Sequence, residues 1–457
     1  MYFEQLSTPG LGCYSYAVGC PLAGVMAVID PRRDVDAYLY VAKENNMRIT
    51  HIFETHIHAD HVSGAQELRA VTGAEIYIHE NAAVDYEIKK VKDTDEFTLG
   101  NAFIRALHTP GHTPNSISLL ISDLSRFPGP QLLLTGDLLF VGDIGRPDLP
   151  GADMLDEQVE KLYNSLYMTL APLPDYLEVF PAHGEGSLCG RGLSVKPSTT
   201  LGYERLANPM LRLTDFAEFK QAVLSDLPMR PQSFSGIISA NMSVATIRTE
   251  QKPSDSALSA RQTVKFQSAG AVLLDLRDAS SYGAAHIPGS VNVDFSDGPR
   301  LNWVGVAVPP GVPLVLILSA DSAFEQIRVE LRRIGYDTVK GWLKGGVDAW
   351  TENGGELQNL PYMSVPELRA RLDGKNPPVM LDVRSTGEFN NANIDGAANL
   401  TFSQILEKDA LPIDTGAEAV IICQSGFRAG VAASMLQARG YARVSVLSGG
   451  MAEWNAA

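Results

Sequence analysis

Residues 55–61 read Thr55-His56-Ile57-His58-Ala59-Asp60-His61, directly after the strand-like run Ile49-Thr50-His51-Ile52-Phe53. Three imidazoles and a carboxylate at this density would repel one another or leave donors unpaired if merely buried. Around a metal ion the same groups become ligands or partners that orient ligands. This heptapeptide holds three of the 9 histidines of the chain, which makes a polar loop with chance histidines the weaker explanation.

At 457 residues the chain has room for about two to four domains with substantial cores. A hydrophobic content of 45% and a charged content of 20% are ordinary for a globular protein. The net charge of −16 argues against nucleic acid or an anionic membrane as a partner. No stretch approaches the apolar length of a membrane span. Met1-Tyr2-Phe3-Glu4-Gln5 lacks the basic and apolar regions of a signal peptide. Cys13, Cys20, Cys189 and Cys423 form neither a disulfide framework nor a CxxC pair, which suits a reducing cytoplasm. A cytoplasmic protein acting on small molecules is expected, and a homo-oligomer is compatible with it.

Two patterns divide the chain. Up to about residue 245, short β-rich runs (Gly24–Asp30, Glu75–His79, Phe103–His108, Ser116–Ile121, Gln131–Thr135) alternate with helical stretches at Asp34–Asn45 and Ala65–Thr72. The alternation predicts a layered α/β domain over residues 1–245. The remainder repeats itself. Leu274-Asp275-Leu276-Arg277 recurs as Leu381-Asp382-Val383-Arg384, Gly335-Tyr336 as Gly440-Tyr441, and Gly345-Gly346 with Trp350 as Gly449-Gly450 with Trp454. Offsets of about a hundred residues mean two copies of one domain, over 255–355 and 362–457, rather than a solenoid. Thr249–Ser259 and Asn353–Pro361 read as linkers.

Further metal-binding residue types follow the heptapeptide at the ends of apolar runs. His112 stands in His108-Thr109-Pro110-Gly111-His112-Thr113, Asp137 in Leu133-Leu134-Thr135-Gly136-Asp137, and His183 in Val179-Phe180-Pro181-Ala182-His183-Gly184. A glycine beside each lets the chain turn sharply at a strand end and aim the side chain into a shared crevice.

The order HxHxDH, then distant His, Asp and His, resembles the metallo-β-lactamase superfamily. That resemblance implies an αββα sandwich with the metal at one edge of its two sheets. The run Thr135-Gly136-Asp137-Leu138-Leu139-Phe140-Val141-Gly142-Asp143-Ile144-Gly145-Arg146-Pro147-Asp148 is similar to the glyoxalase II and persulfide dioxygenase branch, most of all to bacterial persulfide dioxygenases. In glyoxalase II-like hydrolases all seven side chains hold two zinc ions, with Asp137 bridging. In persulfide dioxygenases His56, His112 and Asp137 would hold one Fe(II), leaving three positions open for O₂ and substrate. His58, Asp60, His61 and His183 would then orient and tune that centre. The motif is compatible with both.

The same resemblance places Arg146 where relatives contact glutathione carboxylates, a task suited to its guanidinium fork. A fold-stabilising ion pair with Asp148 or Asp143 competes equally, and Arg191 is a second candidate for substrate contact. The tyrosine that some glutathione-using relatives carry after the last histidine is absent from Gly184-Glu185-Gly186, so the thiol is not fixed. Cys13, Cys20 and Cys189 read as buried small residues.

In the second repeat, Val420-Ile421-Ile422-Cys423 leads into Gln424-Ser425-Gly426-Phe427-Arg428 and a helical run to Ala438. A cysteine between a strand end and a helix start can lie in a cradle of backbone N–H groups that stabilises a thiolate or a persulfide. Arg428 adds positive charge for an anionic donor. This word resembles the active-site loop of rhodaneses, which would make Cys423 a sulfane-sulfur carrier. The first repeat has Leu318 or Ser319 opposite Cys423, depending on one gap, and neither supplies a thiol. It is therefore expected to be a silent rhodanese-like domain.

The resemblances together imply an α/β multidomain fusion. The first domain would oxidise a low-molecular-weight persulfide, such as glutathione persulfide, with O₂ to thiol and sulfite. The last would exchange sulfane sulfur with thiosulfate, sulfite or a glutathione-like thiol. A two-zinc thioesterase with a rhodanese tail, and a non-enzymatic persulfide sensor or scaffold, are the alternatives.

Overall fold

The computed structural model describes residues 1–225, 227, 229–245, 256–407, 411 and 413–457. They fall into two compact units, one of Met1–Pro228, Phe234–Arg248 and Arg332–Gly335, the other of Met229–Ser233, Thr249–Leu331 and Tyr336–Ala457. The linker expected over Thr249–Ser259 lies partly outside the described residues. Its end is ordered differently from expectation, as Ala257–Leu258 is a strand and Ser259 caps the following helix through a capping box.

The first unit holds two six-stranded sheets. One runs in sequence order through β1 (Tyr2–Thr8), β2 (Cys13–Cys20), β3 (Val25–Ile29), β4 (Arg48–Phe53), β5 (Glu75–His79) and β6 (Lys89–Val91). The other contains β7 (Glu96–Leu99), β8 (Ala102–His108), β9 (Ile117–Asp123), β10 (Leu132–Gly136), β11 (Glu178–Pro181) and β12 (Thr199–Thr200), again in spatial order. Side chains alternate across each strand, so neighbouring residues enter different cores. Tyr16, Val18, Ile29 and Phe53 meet Ile104, Leu119, Ile121 and Leu134 between the sheets. Ala17, Met26 and Val28 turn the other way, onto Tyr38 and Val41 of α1 (Asp36–Glu44) and Leu68 of α2 (Ala65–Thr72). Leu120, Leu133 and Val179 face Val159 and Leu162 of α3 (Leu155–Asn164). Three cores between four layers give the αββα sandwich.

The second unit contains two five-stranded parallel sheets of one topology. The first is built from β13 (Ala257–Leu258), β14 (Val272–Asp275), β15 (Val291–Asn292), β16 (Leu314–Ile317) and β17 (Val339–Leu343), ordered β13-β17-β16-β14-β15. The second is built from β18 (Tyr362–Met363), β19 (Val379–Asp382), β20 (Ala398–Asn399), β21 (Ala419–Ile422) and β22 (Val444–Leu447), ordered β18-β22-β21-β19-β20. The repeated sequence words become repeated contacts. Arg277 chelates Asp275 and bonds Ala285 O, and Arg384 does the same with Asp382 and Ala392 O. Asn292 and Asn399 each donate to two main-chain carbonyls of their own Asp-x-Arg word.

Candidate metal centre and sulfur-transfer loop

The polar residues of the first unit lie where strands run out. Thr55–His61 follows β4, Gly111-His112 follows β8, Asp137 follows β10 and His183 follows β11. All seven expected side chains are at most 3% exposed. They do not form one uniform cluster.

His56, His112 and Asp137 converge, with ligand atoms within 4.8 Å of one another. Asp137 Oδ2 is 3.3 Å from His112 Nε2 and 3.8 Å from His56 Nε2. His112 Nδ1 lies 2.8 Å from Arg146 O, an oxygen that can only accept, so this nitrogen carries the proton and Nε2 keeps its lone pair when the ring is neutral. Burial pushes His112 and, with the His58 charge, His56 below the usual imidazole range. His112 Nε2 and Asp137 Oδ2 are buried without a hydrogen-bond partner. Neutral imidazoles facing an unpartnered carboxylate oxygen fit a bound cation, which would satisfy both orphaned atoms. Close approach requires glycine here, since a β-carbon on Gly145 would fall 1.8 Å from Asp137 O and 3.3 Å from His112 Nδ1.

His183 is differently placed. Its Nδ1 reaches Asp137 Oδ1 at 2.6 Å and its Nε2 reaches Asp60 Oδ2 at 2.8 Å. Burial opposes the imidazolium, but the charges of Asp137 and Asp60 overcome it and push His183 well above its usual range. Asp60 Oδ2 also accepts from Cys13 Sγ at 2.8 Å, and Asp60 Oδ1 lies 3.3 Å from His61 Nδ1. His58 Nε2 stands 3.1 Å from both Asp30 Oδ1 and Glu54 Oε2, without the alignment of a hydrogen bond. His58, Asp60 and His61 still offer donor atoms within 4.8 Å of one another.

Sequence reasoning missed Asp30, Glu54 and the Cys13 contact. Asp30 accepts from Thr55 N at 2.7 Å and from Thr55 Oγ1 at 2.8 Å, and Thr55 Oγ1 lies 2.9 Å from His56 Nδ1. The available signal was an aspartate closing an apolar strand, Val25–Ile29. Arg146 is buried, its fork bound to both oxygens of Asp148 at 2.7 Å and to Leu188 O at 3.2 Å. Arg191 bonds Asp143 Oδ1 and Ala222 O and is partly exposed.

In the second unit Cys423 follows β21 and is fully buried, with Gly426 N donating to its Sγ at 3.1 Å. Gly426 has φ 101, the left-handed geometry that turns this N–H back towards the sulfur before the helix Phe427–Ala438. Gln424 and Ser425 are exposed, and Phe427 and Arg428 half-buried. Arg428 forks onto Glu388 at 2.8 and 2.6 Å. In the other copy, Asp275 pairs with Ile317 as Asp382 pairs with Ile422, so Leu318 occupies the cysteine position and resolves the alternative with Ser319.

The metallo-beta-lactamase superfamily model matches residues 11–183, and the rhodanese-like domain model matches residues 259–353 and 364–457. Persulfide dioxygenase ETHE1, mitochondrial, of Bos taurus is 30% identical over 245 residues, covering 52% of this chain and 87% of that protein. Hydroxyacylglutathione hydrolase of Rhodospirillum rubrum is 31% identical over 238 residues, covering 46% of this chain and 86% of that protein. A solved structure of a metallo-beta-lactamase from Staphylococcus aureus subsp. aureus COL aligns with a TM-score of 0.67 at 31% identity, over 75% of this chain and 98% of that one. Among the described residues no helix is long and apolar enough to cross a membrane.

Proposed function

Because the chain belongs to the metallo-beta-lactamase superfamily and continues into two rhodanese-like domains, we propose that it is a mononuclear iron persulfide dioxygenase coupled to a sulfurtransferase. The overall conversion in the first domain is RSSH + O₂ + H₂O → RSH + SO₃²⁻ + 2H⁺, with glutathione persulfide as the model substrate. His56, His112 and Asp137 would hold one Fe(II), which supplies dioxygen activation when bound. Arg146 O fixes the His112 tautomer, and Thr55, held by Asp30, steadies His56. Burial keeps bulk water from these side chains. Arg191, partly exposed and bonded to Asp143 through one guanidinium nitrogen only, is the candidate of the two arginines for a substrate carboxylate, since the buried Arg146 fork is closed on both oxygens of Asp148.

The observation that carries a single-metal centre is the contrast between two histidines. His112 Nε2 is buried and unpartnered, whereas both nitrogens of His183 are engaged by carboxylates. A second metal at His183 would have to replace the proton that His183 shares with Asp60 or Asp137. The likeness to hydroxyacylglutathione hydrolase, the proximity of His58, Asp60 and His61, and a His58 ring whose two nitrogens are both buried without a hydrogen-bond partner favour the two-zinc thioesterase as the second reading.

Metal analysis of protein purified without added metal, combined with O₂ uptake on glutathione persulfide, separates them. One iron per chain with O₂ uptake and sulfite release, lost in His112→Ala, is expected. Two zinc per chain and no O₂ uptake would sink the dioxygenase assignment. In the last domain, Cys423 would carry sulfane sulfur, with Gln424, Ser425, Gly426 and Phe427 as its cradle and Arg428 closing it. Cys423→Ser should lose thiosulfate sulfurtransfer while sulfite production persists.

A further inference from the structure

The helix that starts at the Cys423 loop is buried at Ala429, Gly430, Val431, Ala432, Ala433, Ser434, Met435 and Leu436 without interruption. A helix lying on one sheet would bury only a stripe. The helix packs on β21 and β22 of its own copy, and also on β15 and the helix Leu301–Ala307 of the silent copy. Asn292 N of β15 donates to Ser434 Oγ at 3.0 Å in that buried contact. Two side chains of the silent copy reach further, to the loop itself. Trp303 stands edge-on to Phe427, with ring centroids 5.3 Å apart and planes at 86°. Arg300 Cζ lies 4.4 Å from the centroid of the Phe427 ring.

We propose that Arg300 and Trp303 complete the donor-binding wall of the Cys423 site, with Arg300 as the cation that selects a doubly charged sulfur donor. This rests on the reading of Cys423 as a sulfane-sulfur carrier. The loop's own Arg428 is committed to Glu388 through two hydrogen bonds, so its charge is largely answered within the protein. Arg300 has looser commitments. It donates to the Asp294 carbonyl at 2.9 Å, stands 3.9 Å from the Asp294 carboxylate without a hydrogen bond to it, and reaches Asp297 Oδ2 at 3.2 Å, where the Asp297 side chain is 82% exposed. An exposed pair of this kind is screened by solvent, which leaves the guanidinium available to an anion. Trp303 is in turn held by Phe402 at a centroid distance of 5.2 Å, so Phe427 is backed by an aromatic stack that spans both copies.

In the step served, the Cys423 thiolate attacks the outer sulfur of thiosulfate. An Sγ–S bond forms, the S–S bond of the donor breaks, and sulfite departs with the electron pair. An acceptor thiolate then takes the outer sulfur from Cys423 persulfide and regenerates the Cys423 thiolate. Arg300 acts on the first half-reaction, where the donor carries two negative charges.

The test is steady-state sulfurtransfer by the full chain, with thiosulfate and with a singly charged organic thiosulfonate as donors. Arg300→Gln should raise the KM for thiosulfate about tenfold, in keeping with loss of one charge-assisted contact, with kcat within about twofold. The KM for the thiosulfonate should rise less, and Arg300→Lys should recover most of the thiosulfate affinity. Trp303→Ala should raise the KM for both donors, and Trp303→Phe should restore it. An unchanged thiosulfate KM in Arg300→Gln overturns the proposal, as does an equal rise for both donors with no rescue by lysine, the mark of a purely structural role. Full activity in Cys423→Ser would instead remove the carrier assignment beneath it, a distinct outcome.

Discussion

Asp30 offers the most direct test of how the fold holds its histidines. It is 2% exposed, adopts φ 51, and accepts two hydrogen bonds from Thr55, whose hydroxyl touches His56 Nδ1. Asp30→Ala leaves a buried N–H and a buried hydroxyl without their acceptors. At about 1–3 kcal/mol for each stranded group, partly offset because a buried carboxylate is removed, the expected loss is ~2–5 kcal/mol. For a unit of this size that corresponds to a fall of about 5–15 °C in Tm by calorimetry on the full chain. Asp30→Asn keeps one carbonyl acceptor and tolerates the left-handed backbone, so about half the loss is expected. Metal retention against a competing chelator should weaken about 10–100-fold in Asp30→Ala, because His56 loses its anchor. A Thr55→Val cycle adds a sharper criterion. In the double variant the hydroxyl is no longer stranded and only the Thr55 N–H still lacks the Asp30 acceptor, so a coupling of at least about 1 kcal/mol is expected. Asp30→Ala melting like wild type, or strict additivity with Thr55→Val, would refute the relay from Asp30 through Thr55 to His56.

Two other perturbations depend on pH. His79 stacks on His108 at 3.8 Å, and burial, with His108 beside it, lowers its pKa from the usual 6.5 to about 4. Between those values the unfolded chain binds a proton that the folded chain refuses. The first unit should therefore lose stability as pH falls from 6.5 towards 4, by ~1–2 kcal/mol after discounting for solvent. His79→Phe should flatten that slope in thermal melts, and an unchanged slope would contradict the assignment. Glu388 is lowered below its usual 4.5, because its bonds to Arg428 outweigh the opposing effect of burial. Its contribution is present above 4.5 and lost as pH falls through the depressed value. Glu388→Gln should cost about 1 kcal/mol at neutral pH and nothing in strong acid, where the protonated glutamic acid and the glutamine are equally uncharged beside Arg428. A deficit that persists unchanged into strong acid would point to packing instead.

What was legible in the sequence is what is local along the chain. Each histidine or aspartate sits in its own short word at a strand end, and period-two alternation fixes which neighbours enter which core. The pairings that divide the ligand set are not local. Cys13 meets Asp60 across 47 positions and His183 meets Asp60 across 123, so composition and spacing could not reveal that His183 has both nitrogens engaged. Asp30 and Glu54 were invisible for another reason, as a single carboxylate at a strand end looks the same whether it faces solvent or a histidine. Arg146 was open between substrate and ion pair because Asp148 is two residues away. Only the side-chain rotamers show the fork closed on that carboxylate.

The two copies of the second unit explain why duplication is readable in some words and lost in others. Asp275 and Asp382 are fully buried beside Arg277 and Arg384, and removing the arginine strands a buried carboxylate at a cost of about 3–5 kcal/mol. The cysteine position carries no such penalty. Leu318 fills the place of Cys423 with an apolar side chain that is itself buried, so folding tolerates the exchange, whereas the sulfur transfer proposed for Cys423 would not. The charge lattice therefore persists in both copies and the thiol in one. The silent copy still offers β15 and the helix Leu301–Ala307 to the back of its partner's helix, and that helix buries residues all round only because a second copy covers it. A copy with leucine at the cysteine position thus covers the helix that follows Cys423 in the other.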